Sequence, residues 1–175
     1  MQVLSAQQMV VLALPRYRTR DVLSLVAAWA VRGALRVVDG GNLFNVLVVS
    51  RMIRHETSQV DSILERIYVS RAFTCFQMSA MLCDLPALQT PLLVIDPLHT
   101  FYDESVDDQQ SRRLLDKCVA YLKRQSRFAP VLLAVFPSPK AGKRSFLLET
   151  LLKEADSVWQ SEPQAARAMQ PMLWE

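Results

Sequence analysis

Glycine and histidine are scarce in this chain of 175 residues, which contains only four glycines and two histidines. A glycine-rich loop that cradles phosphate normally uses three glycines by itself, so this count weighs against such a loop. His55 and His99 alone exclude a histidine-rich metal site. The three cysteines form no CxxC pair and cannot all pair with one another. This cysteine usage predicts a chain that works in a reducing compartment.

Long apolar runs are also missing. No stretch reaches the roughly 18 apolar residues that a membrane span needs. The N-terminal segment MQVLSAQQMVVLALPRYR has no basic region ahead of its short apolar stretch, which is not the pattern of a signal peptide. The sequence therefore predicts a cytoplasmic protein with no membrane partner.

The composition is that of a folded domain, with 51% hydrophobic and 21% charged residues. The length suits one domain with its own core, which we expect over residues 1–160. Residues 161–175 contain two prolines and are expected to form an irregular tail. The net charge of +3 is a mild basic excess that is compatible with nucleic acid as a partner.

Strand-like and helix-like segments alternate along the chain. The strand-like segments are short, β-branched and almost continuously apolar, as in strands that are buried on both faces. Segments with helical spacing of apolar residues lie between them. This alternation predicts an α/β fold of three layers (α/β/α), with a mainly parallel, twisted sheet of five to six strands. The expected strands are Met9–Leu14, Leu35–Asp39, Arg66–Ser70, Leu92–Asp96, Val131–Phe136 and, as a sixth, Ser157–Gln160.

Function gathers at the carboxyl ends of the strands in an open parallel sheet. The first strand is followed by three arginines around Tyr17, and the fourth ends in Asp96 with His99 close behind. The fifth is followed by three cations and then by Phe146. These two cationic sets are Arg16, Arg18 and Arg20 after the first strand, and Lys140, Lys143 and Arg144 after the fifth.

Three segments at such strand ends resemble motifs of the ATPase core of RecA/RadA-type recombinases. VVDGGNLFN is similar to the strand-two motif of that family, and ERIYVSRAFTCFQ to the strand-three motif. PLLVIDPLHTFY resembles the Walker B strand, which places Asp96 at the Walker B aspartate. The resemblance as a whole covers about Val10 to Phe136. The resemblance implies a RecA-like fold and a role in recombination.

The chain departs from that family where the family binds and hydrolyses ATP. The place of the Walker A loop holds PRYRTRD, which has neither glycine nor lysine. Gly41 stands where the family carries the glutamate that activates water. The sequence therefore predicts a protein that is not an enzyme, with no catalytic residue, no metal and no cofactor, in which Asp96 is a remnant of Walker B.

The cationic loops predict contacts with DNA. In the recombinase family the loop after the fifth strand contacts DNA, and this implies such a role for Lys140, Lys143 and Arg144. Cations neutralise phosphates, and an aromatic ring such as that of Phe146 stacks on unpaired bases. Arg16, Arg18 and Arg20 are the second candidate set. The open alternative is that both loops are merely solvated basic turns, with Phe146 in the core.

The leading hypothesis is a non-catalytic RecA-like recombinase paralogue or accessory factor in DNA recombination or repair. Its expected partners are DNA, single-stranded DNA included, and a RecA-like ATPase or further copies of itself. One alternative is an ATPase with an atypical phosphate loop, for which PSPKAGKRS is the candidate segment. Another alternative is a structural module for protein–protein interaction.

Several other residues are expected to serve the fold. Phe73 is expected to anchor the helix after the third strand, with Phe76 in the core. The cysteines Cys75, Cys83 and Cys118 are expected to be small core residues. The acidic stretch that ends in Asp107 and Asp108 is expected to cap the following helix, because carboxylates suit the positive end of a helix.

Overall fold

Among the described residues, six strands form one sheet in which every neighbouring pair is parallel. The structure is a computed structural model and describes residues 8–87, 89–102, 106–137, 142 and 144–161. The sheet order is β3-β2-β4-β5-β1-β6. The α/β fold with an all-parallel sheet confirms the predicted class. The strands are β1 Met9–Ala13, β2 Leu35–Asp39, β3 Ile67–Arg71, β4 Leu92–Ile95, β5 Val131–Val135 and β6 Ser157–Gln160.

Helices cover both faces of the sheet and make two separate cores. The α1–α3 helices pack on one face, where Val26, Val49 and Ile63 are buried. The α4–α6 helices pack on the other face, around Met78, Leu122 and Leu147. This gives the three layers that the alternation of segments predicts. The helices are α1 Thr19–Arg32, α2 Val46–Glu56, α3 Val60–Leu64, α4 Cys75–Cys83, α5 Asp108–Ser126 and α6 Ser145–Glu154.

Side-chain caps explain where three of the helices begin. The Asn45 side chain accepts hydrogen bonds from the amides of Leu47 and Val48 at the start of α2. Thr74 caps α4 in the same way, and Asp107 caps α5 by accepting from the Gln110 amide. Such caps satisfy backbone donors that have no partner inside the helix. The predicted capping role of the acidic stretch is confirmed for Asp107.

The two edge strands differ from the expectation of strands buried on both faces. Tyr68 and Val69 of β3 are exposed, as are Val158 and Trp159 of β6. Of the strands that the structure describes, only the four central ones, in the order β2-β4-β5-β1, have a paired neighbour on each side. An apolar run predicts a strand, but whether that strand lies at an edge depends on the order in which the strands assemble.

Two predicted core positions, Phe76 and Cys83, are wrong, because both residues are exposed. Phe73, which was expected to anchor α4, is 68% exposed. Cys75 and Cys118 are buried as expected, but Cys83 is exposed. None of these three described cysteines forms a disulfide bond. The α4 helix carries apolar residues around most of its surface, so its sequence does not reveal which face turns outward.

No helix in the described ranges is both long and apolar enough to cross a membrane. The predicted irregular tail falls, after Ser161, outside the described residues. Its boundary and the extent of the domain therefore stay predictions.

Candidate functional site

The carboxyl ends of β2 and β4 form a topological switch point, at which the chain divides between the two faces of the sheet. The chain leaves β2 for α2 on one face and leaves β4 for α5 on the other. Open parallel sheets usually carry their ligand crevice at such a switch point, so we call this region the crevice. Asp39 ends β2 opposite Ile95 of β4, and Asp96 is the next residue. Two buried carboxylates therefore lie at this crevice.

Asp39 holds the loop that follows its own strand. Its carboxylate accepts hydrogen bonds from the amides of Leu43 at 3.0 Å and Phe44 at 2.8 Å. Arg71, its neighbour on β3, places Nε 3.5 Å from Asp39 Oδ2 and donates from Nη2 to the Phe44 carbonyl at 2.8 Å. These contacts use both carboxylate oxygens of Asp39, so its role is to fix the loop over residues 40–44.

Asp96 is held in an unusual backbone conformation and is 2% exposed. Its φ of 47° and ψ of 53° are left-handed, a region that aspartate and asparagine tolerate better than most residues. Its amide donates to the Ala134 carbonyl at 2.7 Å, and its carbonyl accepts from the His99 amide at 3.2 Å. Backbone atoms of β5 and of the 3-10 turn that directly follows Asp96, Pro97–Phe101, therefore fix its position.

Burial raises the pKa of the Asp96 carboxyl from 3.8 to about 6. Four groups in contact or nearby modify this effect: His99, Arg16 and a backbone hydrogen bond from Phe136 lower the pKa, while the Asp39 charge raises it. Burial has the largest influence because a carboxylate loses its hydration there. Asp96 thus keeps a proton to higher pH than an ordinary aspartate.

Gly40 and Gly41 pack directly against Asp96. A Cβ on Gly41 would lie 2.7 Å from Asp96 Cβ and 2.8 Å from Asp96 Oδ2. A Cβ on Gly40 would lie 2.7 Å from the Asp96 carbonyl oxygen. The family resemblance implies a glutamate at the position of Gly41. Asp96 occupies the space that the side chain of such a glutamate would need.

The arginines after β1 reach different partners. Arg16 lies in a 3-10 turn, Arg16–Arg18, and places Nη1 3.5 Å from Asp96 Oδ2, while its side chain stays 58% exposed. Arg18 pairs with Asp21 and donates to Ser161 Oγ at 3.1 Å. Arg20 is exposed on the first turn of α1. The predicted set is thus divided: Arg16 joins the crevice, and Arg20 points elsewhere.

The cationic loop after β5 is described only in part. Lys140 and Lys143 lie outside the described residues. Arg144 is bound within the chain: it donates to the Phe101 carbonyl at 2.7 Å, to the Val106 carbonyl and to Asp108 Oδ1 at 3.0 Å. Its side chain is 13% exposed, so a phosphate would have to compete with these acceptors. Phe146 is partly buried, with Arg112 over its ring at 3.6 Å.

The residues at the crevice do not fit a magnesium nucleotide. Asp96 Oδ2 is already approached by the Arg16 guanidinium, and the Gly41 backbone is packed against the same carboxylate. The β1 end adds Pro15, which has no amide hydrogen, and then a 3-10 turn rather than an open phosphate loop. In the described ranges, no three or more His, Cys, Asp or Glu side chains lie together as a metal-binding group would require.

The sequence does not predict the contact of Arg71 with Asp39 or the exposure of the Phe73 and Phe76 rings. Arg71 belongs to the strand-three segment of the resemblance, but its partner Asp39 lies on a different strand, so no local pattern links the two residues.

No protein-family model matches the chain, and no curated protein is significantly similar to it.

Proposed function

We propose that this protein is a non-catalytic, RecA-like recombinase paralogue or accessory factor that binds DNA or a partner ATPase in recombination or repair. The observation that carries the proposal is the contact of Arg16 with Asp96 beside Gly41. In a working ATPase, this carboxylate would assist a metal and its nucleotide. Here it has an internal cation as partner and no room beside it for a glutamate.

Binding to DNA is supported by the charge and exposure of the turn after β1. Arg16 and Arg18 are both more than one third exposed, and Tyr17 between them is 62% exposed. Cations and an aromatic ring at one surface suit the phosphates and unpaired bases of a single strand. The exposed ring of Tyr17 offers an unpaired base a stacking face.

Binding to another protein chain is supported by the edges of the sheet. The exposed apolar residues Tyr68 and Val69 lie on β3, and Val158 and Trp159 lie on β6. Each edge strand has one paired neighbour among the described strands. Edge strands with exposed apolar side chains are surfaces on which a further strand can pair. A RecA-like ATPase or another copy of this chain would fit such an edge.

The test is fluorescence anisotropy of labelled single-stranded and duplex DNA, titrated with the full chain at two salt concentrations, with and without Mg-ATP. We expect binding that weakens as salt rises and is indifferent to ATP. The double variant Arg16→Gln/Arg18→Gln should bind more weakly. The matched control Arg66→Gln/Arg127→Gln removes the same charge from exposed residues near the amino ends of β3 and β5 and should bind like the wild type.

Two results would overturn the proposal. ATP-dependent DNA binding or steady ATP hydrolysis that Asp96→Ala abolishes would identify an ATPase with an atypical phosphate loop. Equal losses in the control and the Arg16/Arg18 variant would show that the β1 turn has no particular role. Absence of DNA binding together with a stable complex with another chain would leave only the protein-interaction role.

A further inference from the structure

A groove of about 300 Å³ lies between α1 and α2, on the face of the sheet opposite α4–α6. Two arginines and a histidine line it together with three apolar residues. We call it the α1–α2 groove, and its lining residues are Arg20 and Leu23 from α1 and Val48, Arg51, Met52 and His55 from α2.

The charge of the α1–α2 groove has one sign. Arg20 and Arg51 come from different helices and are both exposed. Within the part of the chain that the structure describes, neither arginine forms an ion pair. Asp21, the carboxylate nearest to Arg20 in sequence, is bound by Arg18. No carboxylate lines the groove, so its two guanidinium groups lack an anion.

The apolar part of the groove is a floor and not a docking surface for a helix. Leu23 is 4% exposed, and neither Val48 nor Met52 belongs to the large exposed apolar residues. A groove that receives an amphipathic helix offers exposed apolar contacts along several turns. In the α1–α2 groove, by contrast, Arg20, Arg51 and His55 are the exposed members.

We infer that the α1–α2 groove binds a phosphate group. Arginine forks donate two parallel hydrogen bonds to phosphate oxygens, and the His55 imidazole adds a further donor. The volume is at the low end of the range for small-molecule sites, which suits one phosphorylated unit above an apolar floor. The phosphate belongs either to a nucleic-acid backbone or to a phosphorylated small molecule. The first source rests on the proposed function, and the second does not.

The experiment compares two double variants of the full chain. Arg20→Gln/Arg51→Gln removes both groove arginines. Arg32→Gln/Arg54→Gln removes two exposed arginines from the same helices, but outside the groove. Amide NMR shifts are followed during titration with pyrophosphate, with oligothymidylate and with polyglutamate. In the wild type we expect saturable shifts of α1 and α2 amides with pyrophosphate or oligothymidylate, which the groove variant loses and the control keeps.

The outcomes distinguish a nucleic-acid phosphate from the phosphate of a small molecule. They also distinguish failure of the groove site from failure of the proposed function. If oligothymidylate binds at the groove, the groove variant should also lower the salt dependence of log K by about 0.7 for each lost phosphate contact. Pyrophosphate binding without oligothymidylate binding indicates a phosphorylated small molecule. This result contradicts the DNA role of the proposed function and leaves the groove site standing. DNA binding with equal affinity in both variants, and no pyrophosphate shifts, overturns the groove site and leaves the proposed function. Binding of polyglutamate as tight as that of pyrophosphate would overturn the phosphate assignment in favour of an acidic peptide.

Discussion

Replacing Asp96 with asparagine is expected to stabilise the protein at neutral pH. The carboxyl is buried and its pKa is raised from 3.8 to about 6. Asparagine keeps the shape, tolerates the left-handed backbone and has an oxygen that can accept the backbone hydrogen bond from Phe136. Asparagine carries no charge, so it loses no ionic hydration when it is buried. The variant therefore removes the cost of ionising a buried group.

The sign and size of the effect follow from proton linkage. Between pH 3.8 and about 6 the folded state binds more protons at Asp96 than the unfolded state does, so stability falls as pH rises through this window. At about 1.4 kcal/mol for each pH unit, the ionised carboxylate costs about 3 kcal/mol above the window. The pKa of about 6 already includes the attraction of the partly exposed Arg16, so the loss of that pair needs no separate allowance. A gain of about 3 kcal/mol in the free energy of unfolding is expected at neutral pH.

Urea unfolding followed by far-ultraviolet circular dichroism measures this gain as a function of pH. The difference between Asp96→Asn and wild type should be near zero at about pH 4, where both side chains are neutral, and should grow until above pH 6. Asp39→Asn is the control, because its amide nitrogen would face a backbone donor and should destabilise the fold by about 1–3 kcal/mol. An Asp96→Asn variant that is less stable than wild type at neutral pH, or a difference that does not change with pH, would refute the reasoning.

Three further outcomes are expected. Gly41→Ala should lower the free energy of unfolding by about 1–3 kcal/mol in the same urea assay, because its Cβ would overlap Asp96. The control Gly33→Ala should change the free energy of unfolding by less than about 1 kcal/mol, because nothing lies within 4 Å of the new Cβ. Arg144→Lys should lower the free energy of unfolding by about 2 kcal/mol in thermal or urea unfolding, because an ammonium group cannot reach all the acceptors to which the guanidinium group donates. An unchanged free energy of unfolding would mean that these hydrogen bonds are not formed in solution. If DNA draws Arg16 away from Asp96, the pKa of Asp96 should rise and binding should take up a proton. Anisotropy should then show tighter DNA binding near pH 6 than at neutral pH, and Asp96→Asn should lose that difference.

The sequence was enough to predict the class of fold because apolar runs and helical spacing alternate so regularly. Leu35–Asp39 and Ser157–Gln160 are strands with the predicted bounds. The α3 helix, Val60–Leu64, and the two 3-10 turns were missed, since helical elements of three to five residues make too few turns for a periodic pattern. Helical elements are thus readable where their pattern repeats over several turns, and single turns are not.

The candidate site was predictable as a set of strand ends but not as a set of contacts. Asp96 was identified at the end of β4, and Arg16 as a cation after β1. Their proximity depends on the sheet order, in which β5 separates β1 from β4, and on the length of the Arg16 side chain. The exposure of Phe73 likewise follows from the edge position of β3, which no single segment encodes.

Two features of the Asp96 site would each oppose ATP chemistry at this position. A glutamate at Gly41 would overlap the Asp96 side chain, so introducing that residue alone would displace the neighbouring carboxylate. A phosphate loop in place of the Arg16–Arg18 turn would remove a cation that lowers the pKa of Asp96. Asp96 would then hold its proton to still higher pH and be a poorer metal ligand, because a metal needs the ionised carboxylate. Neither single change would therefore give Asp96 both the ionised carboxylate and the free space that a nucleotide site needs.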